Sequence, residues 1–159
     1  MSDAQSPPAW GPLGELFKSH FQVAYVTHDS EQAREAAARV LDVGPFEMMD
    51  LVLDVIDENE SKVDEMQLKV SFALERAFEI VEPVHDPCDL WNGGRGGSEH
   101  LLSFHHVGTM VTDLGPALAA AQERALPVLR LRTPMLDVAF VDLRSLGCHR
   151  VELLCDRSA

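Results

Sequence analysis

Residues 105–114 read HHVGTMVTDL, and residues 22–29 read QVAYVTHD. Sliding the earlier stretch onto the later one aligns Gln22 with His106 and Asp29 with Asp113 at an offset of 84 residues. Each alternates in the manner of a strand and ends on an aspartate placed to start a helix. Outward from the first lie EQAREAAARVL, dense in strong helix formers up to the Gly44-Pro45 break, and then three strand-like runs, FEMMDLVLDVI, EMQLKVSFAL and AFEIVEP. Outward from the second lie DLGPALAAAQERAL and the runs LPVLRLR, DVAFVDL and HRVELL. The order βαβββ therefore occurs twice, with helices expected at about 29–42 and 113–124, each packed on its own four-stranded sheet. FEIVE matches VELLC at an offset of 73, so the second half differs mainly in having shorter turns. The fold class this predicts is α+β, with modules at 20–83 and 103–155.

The chain has 159 residues, 46% of them hydrophobic, which fits one domain (16–159) able to fold without a disulfide or a metal. Residues 1–15, rich in Pro, Ser and Gly, read as a mobile lead-in, and 84–102, containing NGGRGGS, as a flexible connection. A balance of 13 basic against 26 acidic residues gives a net charge of −13, which repels polyphosphate. Nucleic acid and anionic membranes are excluded as partners on that ground. The sequence opening has no basic stretch followed by an apolar one, so the expected location is the cytoplasm. Cys88, Cys148 and Cys155 have neither disulfide nor zinc-knuckle spacing and read as reduced thiols.

Matching the repeats singles out Gln22 and His106 in the two first strands, and Glu79 and Glu152 in the two last. Period-two alternation turns Val151 and Leu153 one way and Glu152 the other, and separates Ile80 from Glu79 in the same way. A carboxylate turned inward is costly unless paired, so two at equivalent positions point to a cation or a catalytic role. By the same alternation His105 should face the helix. His20, His28, His85, His100 and His149 fall at strand ends or in loops and read as structural, and the acidic run Asp57–Glu60 as a solvated turn.

The duplicated unit, with HHVGTMVTDL opening its second half, resembles the vicinal oxygen chelate superfamily of glyoxalases, epimerases, extradiol dioxygenases and bleomycin-resistance proteins. The likeness spans about residues 20–155 and is strongest at His106–Leu114, Gly44–Phe46, FEIVEP and HRVELL. Within it the chain is similar to the glyoxalase-like subgroup that contains methylmalonyl-CoA epimerases. The resemblance implies two modules curled into a sheet-lined cleft and one divalent metal held by Gln22, Glu79, His106 and Glu152. Gln22 stands where the epimerase pattern has His, and Glu79 where it has Gln. The resulting set of one imidazole, two carboxylates and one amide suits Mn, Mg, Co or Ni, with Fe or Zn also accepted.

Two functions follow as expectations. One is a metal-dependent isomerase, epimerase or lyase acting on a small carbonyl-containing metabolite by enolate-type proton transfer, with Glu79 or Glu152 moving the proton. The other is a binding protein that sequesters an apolar or aromatic compound, with Met48, Met110, Phe140 and Trp91 as candidate lining. Arg95, Arg130 and Arg132 are candidates by charge for an anionic substrate group. The superfamily's habit of burying sheet edges between subunits implies a homodimer.

Overall fold

A computed structural model describes residues 11–91 and 100–158. Helix α1 (Pro12–Leu16) precedes strand β1 (His20–Val26), helix α2 (Ser30–Leu41) and strands β2 (Glu47–Ile56), β3 (Lys62–Ala73) and β4 (Phe78–His85). The second unit is β5 (Ser103–Val111), α3 (Gly115–Glu123), β6 (Val128–Arg132), β7 (Leu136–Asp142) and β8 (Arg150–Asp156). The βαβββ order is thus present twice. Both aspartates act at their helix starts: Asp29 Oδ1 accepts from the Gln32 amide at 3.0 Å, and Asp113 Oδ1 from the Gly115 amide at 2.8 Å. Of the expected lead-in, residues 1–10 lie outside the described residues. Its end is helical, and buried Leu16 joins the cluster beneath α3.

The strands run β1-β4-β3-β2-β6-β7-β8-β5 and close into a barrel. Each module does form a four-stranded sheet, but two seams join them. One is long, β1 against β5, with Val23 opposite Val107. Those two residues are equivalent at the 84-residue offset, so a pseudo-twofold axis passes between them. The other seam is short, pairing Asp54, Val55 and Ile56 of β2 with Arg132, Leu131 and Arg130 of β6. Glu60, from the acidic turn, accepts hydrogen bonds from Arg130 and Arg132 beside that seam, and Arg132 also reaches Asp137 at 2.6 Å. The two arginines hold the Glu60 carboxyl down at about 2. Arg130 and Arg132 therefore serve the closure, Glu60 is more than a solvated residue, and Arg95 lies outside the described residues.

Alternation along the strands sorts side chains into layers. Ala33 and Ala37 let α2 lie close on Ala73 and Ile80, and α3 covers Ala139, Val141, Val151 and Leu153. The opposite faces fill the barrel with Val26, Leu53, Met66, Leu68, Val81, Leu131, Val138 and Phe140, together with Leu90 and Trp91 from the connection between the modules. Trp91 is buried and donates its indole N–H to the Met66 sulfur at 3.1 Å. Asp86 fixes this stretch by accepting from the amides of Leu90 (3.1 Å) and Trp91 (2.7 Å).

Candidate metal centre

The long seam and its two parallel neighbours build the site. In register, Gln22 faces Gly108 and Ala24 faces His106 across β1 and β5, while Glu79 lies beside Ala24 and Glu152 beside Gly108. The four residues matched by the repeat thus converge around the pseudo-twofold axis. His106 is fully buried, and its Nε2 lies 3.2 Å from Glu152 Oε2 and 3.4 Å from Glu79 Oε2. One ligand atom from each of these three residues falls within 4.8 Å of the others.

Gln22 completes the ring. Its Nε2 donates to the Arg76 carbonyl at 3.1 Å, which turns Oε1 inward. Gln22 Oε1 and Glu79 Oε2 are both buried with no hydrogen bond. Buried polar atoms are nearly always satisfied, so two orphaned oxygens beside a histidine mark a place for a cation. The backbone leaves the space: a Cβ on Gly108 would lie 2.6 Å from Gln22 Oε1 and 3.2 Å from Glu152 Oε2. A glycine inside a strand is the sequence mark of such close approach, and Gly108 is legible in hindsight for that reason. One nitrogen and three oxygens fit a divalent ion of the Mn, Mg, Co, Ni, Fe or Zn group.

Protons fill the same role when no ion is bound. Burial disfavours charge on His106, but the neighbouring carboxylates, Glu152 foremost, outweigh it and hold the imidazole up at about 9. Burial pushes the Glu79 carboxyl up, the His106 ring 3.4 Å away opposes this, and the charge of Glu152 adds to the rise.

His105 departs from its expected direction. Ala24 pairs with His106 and Tyr25 with Phe104, which leaves His105 as the extra residue of a β-bulge. The bulge turns both histidines inward. His105 stacks on Trp91 with ring centroids 4.3 Å apart, its Nε2 meets the Leu90 carbonyl at 2.9 Å, and its Nδ1 meets His106 Nδ1 at 2.9 Å. Burial, then the charge of His106, lowers its pKa to about 3. Phe140 also packs on His106, at 5.0 Å between centroids. Of the proposed apolar lining, Trp91 and Phe140 reach the site, whereas Met48 is 65% exposed and Met110 half exposed.

Sequence reading also passed over Arg150. It is buried opposite His106 in β5–β8 register, with Nε 3.9 Å from an Asp142 carboxylate that Arg144 already grips. It lines a cavity of about 180 Å³ together with Leu90, Phe140 and Arg144.

This architecture has solved counterparts. Methylmalonyl-CoA epimerase from Mycobacterium tuberculosis superposes with a TM-score of 0.54 over 86% of each chain, at 11% identity. The Streptomyces coelicolor methylmalonyl-CoA epimerase, in complex with 2-nitronate-propionyl-CoA, gives 0.55 over 87% of this chain and 97% of that one, at 12% identity. The fold is the vicinal oxygen chelate fold. A hypothetical protein from Bacillus halodurans has it as well, with a TM-score of 0.53, 15% identity, and coverage of 85% of this chain and 91% of its own. No protein-family model and no curated protein sequence matches the chain. At these identities the likeness establishes the vicinal oxygen chelate fold and nothing finer. No helix among the described residues is long and apolar enough to cross a membrane.

Proposed function

We propose that the chain is a metal-dependent epimerase or isomerase that moves a proton at the carbon next to a carbonyl, with Gln22, Glu79, His106 and Glu152 holding the ion. The observation that carries this reading is the pair of orphaned, buried oxygens, Gln22 Oε1 and Glu79 Oε2, aimed at the same point as His106 and Glu152. A bound divalent ion would supply positive charge where a carbonyl oxygen becomes negative. Gln22 and His106 orient that charge, and the packed rings of Trp91 and Phe140 exclude water beside it. Glu79 is the candidate proton carrier, because burial raises the basicity of its carboxylate. Arg150, buried opposite His106 in register, is a candidate cation for a substrate carboxylate. Acyl thioesters of branched dicarboxylates, the kind bound by the epimerase neighbours, are the first substrates to try.

Deuterium exchange from solvent into methylmalonyl-CoA and simpler 2-methyl acyl thioesters tests this directly. The metal-loaded wild type should exchange the proton, and Glu79→Gln should lose about 100-fold or more of the rate. Loaded protein that exchanges no proton yet binds an aromatic compound saturably would replace the reading with sequestration.

A homodimer is part of the same proposal. Among the described residues only Asp54–Ile56 of β2 pair with β6, which leaves Glu47–Leu53 without a strand on one side there, and Met48 and Val52 are exposed. Sedimentation should give twice 17.6 kDa at micromolar concentration, and a 17.6 kDa species would count against it.

A further inference from the structure

We propose that His105 is a positioning residue for the candidate ion site: by accepting the hydrogen of His106 Nδ1, it fixes the tautomer that presents His106 Nε2 to the ion. This rests on the metal reading above.

The assignment follows from which atoms can donate. The Leu90 carbonyl can only accept, so the hydrogen between it and His105 Nε2 belongs to His105. The two Nδ1 atoms, 2.9 Å apart, share a single hydrogen. If His105 supplied it, His105 would carry a positive charge flat against the Trp91 indole, with no carboxylate bonded to it among the described residues. His106 has carboxylates at 3.2 and 3.4 Å. Positive charge is therefore accommodated on His106, and His106 Nδ1 is the donor. Once Nδ1 holds its hydrogen, the neutral ring has its lone pair on Nε2, the atom that faces Glu79 and Glu152.

The anchor of this chain of bonds lies outside the strands. Asp86 binds the amides of Leu90 and Trp91, which places the Leu90 carbonyl and the indole on which His105 rests. The bulge is what lets His105 enter: with regular pairing it would lie on the helix side, out of reach of both. Histidine ligands of metals commonly donate their other N–H to a fixed acceptor, and removing that acceptor weakens metal affinity about 10- to 100-fold.

The test compares wild type with His105→Phe, which keeps an aromatic ring against Trp91, and with His105→Asn, whose amide oxygen can take the place of Nδ1 as acceptor. Zn and Co affinities are measured by chelator competition, alongside ¹⁵N-histidine NMR of the metal-free and Zn-loaded wild type. Affinity should fall about 10- to 100-fold in His105→Phe and largely return in His105→Asn. The spectra should show His105 protonated at Nε2 and bare at Nδ1 in both states, with His106 protonated at Nδ1 in the loaded one. Equal affinity in wild type and His105→Phe, or a proton on His105 Nδ1, overturns the positioning role and leaves the metal reading standing. Wild type that binds neither ion overturns both. Where His105→Phe fails to fold, the wild-type spectra and His105→Asn still decide.

Discussion

Adding Mn, Co, Ni or Zn to chelator-treated protein should raise its melting temperature and should leave His106→Ala unmoved. An ion at a hundred times its dissociation constant stabilises the folded state by about 2.7 kcal/mol, or roughly 5–10 °C for a chain of this size. His106 is the one nitrogen ligand of the set, and without it buried Glu79 faces Glu152 with no nitrogen between them to offset their repulsion. The response has a pH dependence of known sign. In the metal-free protein the His106 pKa is raised from 6.5 to about 9, so the stability contributed by its proton is complete below about pH 6.5 and lost as the pH climbs through about 9. The ion competes with that proton, and its apparent affinity should therefore strengthen about tenfold per unit as the pH rises toward about 9. An equal melting shift in wild type and His106→Ala, or none in either, sinks the metal centre.

The second large effect is expected at Trp91→Ala. The indole fills the barrel between Met66, His105 and Phe140, and removing it leaves a void that closed walls cannot collapse around. Truncating a buried aromatic of this kind costs about 3–5 kcal/mol, a large share of the roughly 5–15 kcal/mol that a domain has in total. The melting temperature should drop by roughly 6–20 °C with or without an ion present. Trp91→Phe should recover part of the loss, since it restores ring contact but not the N–H bond to sulfur. A cost below about 1 kcal/mol for the alanine variant would mean that the connection between the modules does not plug the barrel.

Most of the fold was legible because repetition reinforces a weak pattern. Asp29 and Asp113 locate two helices, and Glu79 and Glu152 hold equivalent places in two strands, so each half corroborates the other. The same logic brought Gln22 and His106 to one point. What escaped breaks local periodicity. His105 was assigned to the helix side because alternation presumes one residue per partner, and a bulge supplies two against one. The short β2–β6 seam depends on side chains far apart in sequence, Glu60 with Arg130 and Arg132, and nothing local in either run announces it. Trp91 sits in a stretch whose composition reads as loose connection, yet Asp86 ties it down through two backbone amides.

The axis between Val23 and Val107 has one more implication. The backbone relates the two flanks of the site by rotation, each offering a first-strand residue and a last-strand glutamate. Chemistry distinguishes them: one flank carries an amide and a glutamate with an alanine, Ala24, beneath, the other an imidazole and a glutamate with a glycine, Gly108. A flat, prochiral molecule lying across the axis would meet a different environment on each of its faces. Any such discrimination would rest on the Gln22/His106 and Ala24/Gly108 differences within a doubled scaffold, so His106→Gln should make the two flanks more nearly alike.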